Sequence, residues 1–384
     1  MKRLILVSVV VWGALLIYGG CPGPAAAAAR SAAPAQSSVS TPASAQKEWD
    51  RTVAAGKKEG ELLIYTAGGT AIKEALKNAF EQKYGIKIGF LPGAGRELTA
   101  RIFNERRAGL YLTDLFLSGP NTPTLELKPA GVLAPIKPLL ILPEVLNTKA
   151  YFDGEIPFVD NEGVYTIFHG TRISFPMVVN SELVKPGEIK AYADLLDPKW
   201  HGKIVMGDPT ISGATGKMFA VTVDHITGAD FHRQLVKQNP LILRDLRQQV
   251  EWVARGKYSV SLGPYPDVVA DLLAAGAPLK IVLPREGIYI ASGASGTLSY
   301  FDRAPHPNAA KVFVNWFMSK EGLTVWSKAN LQQTARQDLP TDFLIPELVR
   351  NAKVKYLNPD NEEDLKKLPA RYKLAAEIYA PLLK

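Results

Sequence analysis

The fold is decided by the stretch ELLIYTAGGT at residues 61–70, which the sequence AIKEALKNAF follows at once at residues 71–80. Its apolar run predicts a buried strand, and the three- and four-residue spacing of apolar residues in the second stretch predicts a helix. Only small residues connect the predicted strand to the predicted helix. No bulky side chain therefore covers the backbone N–H groups and the hydroxyl of this turn. Such a turn serves either a tight connection or a bound ligand, and this stretch alone leaves both open.

The same succession of strand and helix recurs along the chain. Further strand-like runs are IKIGFL, LTDLFL, HGKIVM, YSVSL and LKIVLP, and most of them are followed by helical patterns such as PDVVADLLAAG. Strands that alternate with helices are typical of a parallel sheet covered by helices on both faces. The sequence therefore predicts an α/β protein of two lobes, each with a mainly parallel sheet flanked by helices.

Five junctions between a strand and a helix share glycine, small and hydroxyl-bearing residues: TAGGT, PGAGRE, LSGPN, GDPTISGAT and LGPYP. In open α/β sheets the loops beyond the carboxyl ends of the strands form the binding crevice, and helix N-termini there favour anionic groups. We therefore expect a ligand site in a cleft between the lobes. The candidate ligand-binding residues are Ala67, Gly68, Gly69, Thr70, Gly95, Arg96, Ser118, Gly119, Asp208, Thr210, Ser212, Gly213, Ala214, Thr215 and Tyr265.

The N-terminus predicts export. It reads MKRLILVSVVVWGALLIYGGC, a charged start followed by a short apolar run, and we interpret residues 1–29 as a signal peptide. Either a lipoprotein signal ends before Cys21, or ordinary cleavage falls within residues 25–29. Residues 30–47, rich in Ala, Ser and Pro, are predicted to be a disordered tether. The mature protein is expected in the periplasm or at the cell surface, free or lipid-anchored through Cys21.

Composition excludes several kinds of chemistry. The single cysteine leaves no intramolecular disulfide and no thiol nucleophile after processing. Cations exceed acidic residues by eight but are scattered, so no nucleic-acid partner is expected. GATGKM lacks the phosphate-loop spacing, and GASG around Ser295 lacks the G-x-S-x-G spacing. We expect no enzymatic activity and no cofactor, with a secreted hydrolase as the distant alternative.

Two further clusters are given structural interpretations. His225 and His232 are seven residues apart and lack a third ligand, so surface or core positions are favoured over a metal site. The carboxylate-rich run DNEEDLKK at residues 360–367 is interpreted as the solvated start of a helix.

The chain resembles the extracellular solute-binding proteins of ABC importers, in the branch with ferric-ion, phosphonate, thiamine, polyamine and sugar-phosphate binders. The most specific segment is DLLDPKWHGKIVMGDP at residues 194–209. Other matching segments are RELTARIFNERRAGLYLTDLFLSG, LKPAGVLAPI, VLPREG and APHPNAAKVFVNWFMSKEGLTVW. The resemblance covers nearly all of the chain from about residue 59 to residue 329.

This resemblance implies a type 2 periplasmic-binding fold, in which two lobes joined by two crossover strands close on a ligand. ISFPMVVN and YIASGASGTLSY match the crossovers, with a hinge near Asn180 and Gly296. One lobe is then 48–177 with 297–384, and the other is 178–296. The implied partners are a small-molecule solute and an ABC permease of the inner membrane, and the protein is expected to be a monomer.

The ligand is expected to be a small anionic or zwitterionic solute of phosphonate, sugar phosphate or carboxylate type. In the ferric branch adjacent tyrosines hold the metal near the position of LGPYPDVV, where this chain has only Tyr265. Arg96 beside PGAG suits a carboxylate or phosphate, and Asp208 suits an amine. No metal is therefore expected, and iron held by Tyr265 is the alternative.

Overall fold

The computed structural model describes residues 42–174, 176–351 and 353–383. Its helices are α1 Pro42–Glu59, α2 Thr70–Tyr84, α3 Gly95–Arg107, α4 Pro143–Leu146, α5 Ala214–Val221, α6 Ala229–Leu235, α7 Leu246–Ala254, α8 Pro266–Ala274, α9 Pro307–Met318, α10 Lys320–Asn330 and α11 Glu362–Tyr379. Its strands are β1 Glu61–Thr66, β2 Lys87–Pro92, β3 Leu115–Ser118, β4 Leu133–Ala134, β5 Thr166–Phe168, β6 Arg172–Ser174, β7 Met177–Asn180, β8 Ile204–Gly207, β9 Leu241–Leu243, β10 Val260–Leu262, β11 Leu279–Val282, β12 Tyr289–Ala291 and β13 Thr297–Phe301.

The first sheet is built around the stretch that opens the fold. Its order is β2-β1-β3-β13-β4, with β5 also paired to β13. Strand β1 runs parallel to both β2 and β3. Its residues Leu62 and Ile64 share a core with Leu76 and Phe80 of α2. The predicted strand and helix are thus confirmed, and the helix ends at Gly85 in the left-handed conformation.

The second sheet has the order β11-β7-β10-β8-β9 and completes the predicted α/β fold. Strands β8, β9 and β10 are parallel, whereas β7 is antiparallel to its neighbours β10 and β11. Likewise β13 is antiparallel to β3 in the first sheet. The sheets are therefore mixed rather than mainly parallel, because β7 and β13 enter each sheet from the other one and run against its parallel strands.

Strands β6 and β12 connect the two sheets. They pair antiparallel, with Ile173 opposite Ile290, and the chain continues from β6 into β7 and from β12 into β13. These are the segments predicted as crossovers. Asn180, predicted beside the hinge, is an interior residue of the second sheet, where it pairs with Leu279 and its side chain donates to the Val253 carbonyl at 2.8 Å.

The chain passes between the sheets a third time through residues 331–351 and 353–361, which we call the C-terminal strap. Leu339 of the strap packs against the core of the first sheet, and Leu348 packs against that of the second. Leu357 lies beside Tyr289 of β12, and the Ile290 N–H donates to the Leu357 carbonyl at 2.9 Å.

Helix α11 follows the strap and buries Ala375 and Tyr379 in the core of the second sheet. The sequence prediction assigns all of residues 297–384 to the lobe of the first sheet. The apolar face of α11 instead packs into the core of the second sheet. The remaining lobe boundaries stay predictions.

The predicted tether needs one correction. Residues 42–47 form the first turns of α1, and Ala45 is only 7% exposed. Helix α1 packs against α9, and Lys311 of α9 forms an ion pair with Glu48 at 2.8 Å. Proline is accepted in a first helical turn, so Pro42 does not prevent the helix.

The signal peptide, Cys21 and residues 30–41 lie outside the described residues. Within the described ranges, no helix has the length and apolarity needed to cross a membrane.

We predict that Gly296→Ala destabilises the protein, because the crossover packs too closely for a side chain. A Cβ atom on Gly296 would lie 2.0 Å from the Ser292 carbonyl oxygen, and the Gly296 carbonyl accepts from the Gly170 N–H at 3.0 Å. The free energy of unfolding should fall by about 1–3 kcal/mol in urea titrations. Gly69→Ala, whose Cβ would meet nothing within 4 Å, is the control. Equal midpoints for the two variants would contradict the packing described here.

A second prediction concerns acid stability. Burial lowers the pKa of both His169 and His232 to about 3. Below pH 6.5 these residues take up protons in the unfolded chain but not in the folded one, so the free energy of unfolding falls as the pH is lowered. The slope should reach about 1.4 kcal/mol per pH unit for each histidine. Chemical denaturation between pH 7 and 5.5 measures it.

The control variants identify the histidines as the source of the slope. His232→Gln should roughly halve it, whereas His201→Gln, at an exposed histidine, should leave it unchanged. A wild-type stability that does not change over this range would be inconsistent with the neutral buried rings.

Candidate functional site

Two adjoining cavities lie at the carboxyl ends of the parallel strands. The first chamber has a volume of about 320 Å³ and is lined by the loops and helix starts that follow strands of both sheets, and by residues of β6 and β12. The second chamber has a volume of about 450 Å³ and is bounded on one side by α10 and the C-terminal strap. Each volume is in the range of small-ligand sites. Arg172 and Tyr265 line both chambers, as do Ala67, Pro266 and Ala294.

The structure brings most of the predicted site residues to these chambers. Those that line one or both are Ala67, Gly68, Gly69, Thr70, Gly95, Ser118, Gly119, Ser212, Gly213, Ala214 and Tyr265. They come from loops far apart in sequence, which meet because the strands of both sheets end at this cleft. Their contact with a ligand stays a prediction.

The other four predicted residues line neither chamber. Arg96 is exposed in the first turn of α3. Asp208 accepts from the Thr210 N–H at 2.9 Å and from its hydroxyl at 2.6 Å, so both side chains stabilise their own loop. Thr215 is buried, and its hydroxyl donates to the Gly263 carbonyl at 2.9 Å.

Several helices begin at the chambers without a side-chain cap. Helix α2 starts after Gly69 and α5 after Gly213, and neither N-cap residue accepts a hydrogen bond through a side chain. Gly213 has φ of 153° and ψ of −172°, a conformation that essentially only glycine adopts. The first N–H groups of these helices thus lack a side-chain acceptor, and a helix N-terminus stabilises negative charge.

Arg172 is the charged residue that sequence analysis missed. It lies on β6, its Nη1 donates to Asp267 Oδ1 at 2.9 Å, and its guanidinium lies 5.9 Å from the centre of the Tyr265 ring. Its buried Nε has no hydrogen-bond partner. Arg172 is an isolated arginine in the segment HGTRISFP, and no sequence motif marks it as a binding residue. It is identified only because β6 brings it to the wall of both chambers.

Lys217 of α5 is the second cation of the first chamber. Its ammonium contacts Asp360, which is fully buried and accepts from the Ser292 N–H at 2.7 Å and from the Ser292 hydroxyl at 2.8 Å. Burial, and then the charge of Arg172, lower the pKa of Lys217 to about 7. The interpretation of residues 360–367 as a solvated helix start is therefore wrong at Asp360, which the C-terminal strap brings into the interior.

Metal-binding potential is limited within the described residues. They contain no group of three or more His, Cys, Asp and Glu side chains that could hold a metal ion. His232 is a core residue whose ring nitrogens lie 2.7 Å from the Thr222 hydroxyl and 2.9 Å from the Tyr379 hydroxyl. At Tyr265, burial and the nearby Asp267 raise the pKa of the phenol, which disfavours the tyrosinate that a ferric ion requires.

Residues 62–330 match the family of bacterial extracellular solute-binding proteins. The chain belongs to this family. Solute-binding proteins of this kind bind small solutes outside the cytoplasm and deliver them to ABC permeases. The matched range includes residues 194–209, the most specific segment of the resemblance. It confirms the resemblance to extracellular solute-binding proteins that the sequence indicates.

This solute-binding protein also has relatives of known sequence. It is 25% identical over 303 residues to an uncharacterized protein of Haemophilus influenzae, covering 74% of this chain and 82% of the relative.

Solved structures of other proteins share this fold, AfuA and HitA among them. The periplasmic binding protein AfuA of Actinobacillus pleuropneumoniae, with fructose-6-phosphate bound, is 23% identical with a TM-score of 0.59, covering 82% of this chain and 97% of AfuA. Iron-bound HitA of Pseudomonas aeruginosa is 19% identical with a TM-score of 0.61, covering 83% of this chain and 99% of HitA.

Proposed function

We propose that this solute-binding protein captures a small anionic or zwitterionic solute, of phosphonate, sugar phosphate or carboxylate type, for an ABC importer. The observation that carries the proposal is the convergence of Arg172 and Lys217 on the first chamber, where α5 begins without a side-chain cap. Guanidinium groups bind the paired oxygens of carboxylates and phosphates, and Arg172 lines both chambers.

The acidic residues beside these cations favour a zwitterion as well as a simple anion. Asp360 accompanies Lys217 and is fully buried, so it neutralises the lysine rather than facing solvent. Asp267 accompanies Arg172 but its side chain is 57% exposed at the chamber wall. An ammonium group of the solute therefore has a carboxylate within reach of the anion site, a role first predicted for Asp208.

Iron is the second candidate, because iron-bound HitA has the same fold. Tyr265 is the one tyrosine that lines the chambers, and its neighbourhood disfavours the phenolate. A trivalent cation prefers several anionic oxygen ligands, and it would meet the positive charge of Arg172. These observations support an anion over a bare metal.

Binding without catalysis is also part of the proposal. Ser292 is the hydroxyl nearest to a buried carboxylate in the first chamber, but it donates to Asp360 directly and no histidine lines either chamber. This arrangement lacks the histidine base of a serine–histidine pair. Further parts of the proposal are a monomeric protein, closure of the two lobes about β6 and β12, and export with a lipid anchor on Cys21 as one of the two processing routes.

We predict micromolar binding of an organic anion, measured by calorimetry with phosphonates, sugar phosphates, carboxylates and ferric citrate. Arg172→Ala should weaken binding by about tenfold to 100-fold, because a charge-assisted hydrogen bond is lost. Arg96→Ala is the matched control, since Arg96 is exposed and lines neither chamber. Turnover of every ligand that binds is followed in parallel. Tight iron uptake with a tyrosinate colour and no response to any anion would reverse the proposal.

We also predict that anion affinity declines as the pH rises above 7. The pKa of Lys217 is lowered to about 7 in the free protein, so its ammonium loses its proton at higher pH. A bound anion stabilises the ammonium form of Lys217. Above pH 7 the neutral lysine must therefore take up a proton when the anion binds, and the affinity falls by up to about tenfold per pH unit. Calorimetry from pH 6 to 8.5, with an anion whose own charge is constant, measures this. Lys217→Met should bind more weakly at pH 6 and show no decline, whereas a wild-type affinity independent of pH would contradict the role of Lys217.

A further inference from the structure

The second chamber is larger than the first and adjoins it at Arg172 and Tyr265. Ile72 of α2 and Ala270 of α8 lie on its wall, and the C-terminal strap adds a largely apolar surface. The strap residues that line it are Leu331, Gln332, Gln333, Phe343, Leu344, Ile345 and Leu348. This volume of about 450 Å³ exceeds what a phosphate or carboxylate group alone needs.

Most polar side chains of this chamber already have partners within the protein. Asp271 accepts from Arg247 at 3.2 Å, and the Asn330 amide donates to Gln332 at 2.9 Å.

The two strap glutamines are engaged in the same way. Gln332 Nε2 donates to the Ser292 carbonyl at 2.8 Å, and Gln333 Oε1 accepts from the Arg350 N–H at 2.7 Å. A ligand group in this chamber would compete for polar contacts already made, whereas the aliphatic and aromatic surface is open to it.

Leu331 is the most unusual of these apolar residues. Its exposure of 69% is the highest among the exposed large hydrophobic residues of the described chain. It ends α10 in the left-handed conformation with φ of 47°, where glycine or asparagine is favoured. A leucine at this position is unfavourable both for its backbone and for its exposure to water, so contact with a ligand offers a physical reason for it.

We propose that the second chamber binds an apolar alkyl or aryl substituent of the solute whose anionic group occupies the first chamber. This inference rests on the proposed function. It restricts the class of solute to organic anions that carry an apolar substituent, and so excludes inorganic anions. Arg172 binds the anionic end, the Tyr265 ring lies at the junction of the chambers, and Leu331 and Phe343 cover the substituent.

The test compares inorganic phosphate, methylphosphonate, butylphosphonate and phenylphosphonate by calorimetry on the full chain. Burial of one methylene tightens binding by up to about fourfold, so butylphosphonate should bind at least about tenfold more tightly than methylphosphonate. Leu331→Asn retains a residue suited to the left-handed conformation and removes the apolar surface. It should reduce the butyl-to-methyl ratio severalfold while leaving methylphosphonate affinity unchanged.

Leu110→Asn is the matched control, because Leu110 is 48% exposed and lines neither chamber. It should keep the wild-type ratio, and Phe343→Ala provides a second variant of the chamber. Equal affinities for methyl- and butylphosphonate, or a ratio that both chamber variants leave intact, would overturn the inference and leave the proposed function standing. Failure of all four anions to bind wild type would overturn the inference, and the proposed function would fall with it only if the sugar phosphates and carboxylates also failed to bind.

Discussion

The pairing of β6 with β12 is the constraint on which the arrangement of the site depends. Three residues of each strand pair, with Ile173 opposite Ile290, and the first two of the three passages between the sheets run through this short ribbon. Because the chain leaves one sheet and enters the other here, the carboxyl ends of the parallel strands in both sheets open onto the same space. The ribbon also supplies Arg172, so the element that joins the sheets carries a principal charge of the candidate site.

The features that the sequence predicts correctly are those whose signal is local. The strand and helix around residues 61–84 follow from apolar spacing and from a glycine C-cap, which need no information from the rest of the chain. The small-residue loops also reach the chambers as expected, because a strand's carboxyl end has a fixed position in such a sheet. Arg96 was chosen for its place next to a glycine-rich loop, but the start of α3 directs it to solvent.

The missed residues depend on partners that are distant in sequence. Asp360 accepts hydrogen bonds from the N–H and the hydroxyl of Ser292, which lies 68 residues away in sequence. Its neighbours in sequence are charged, and for that reason the sequence predicts a solvated position. Arg172 and Lys217 are isolated cations without a motif, and only the meeting of β6 with α5 shows that they share a chamber. The mixed direction of the sheets escaped prediction for a similar reason, since it is set by where β7 and β13 enter rather than by their composition.

The third passage of the chain, through the C-terminal strap, has a consequence for how the protein folds. Strand β13 lies inside the first sheet, and the first core also needs Phe313 and Trp316 of α9. The second core needs Ala375 and Tyr379 from the end of the chain. Neither core is built from one continuous segment, so an N-terminal half emerging first cannot complete its own hydrophobic interior. We therefore expect the first core to form only after α9 and α10 have been synthesised, and the second only after α11, so that the growing polypeptide stays unfolded through most of its synthesis.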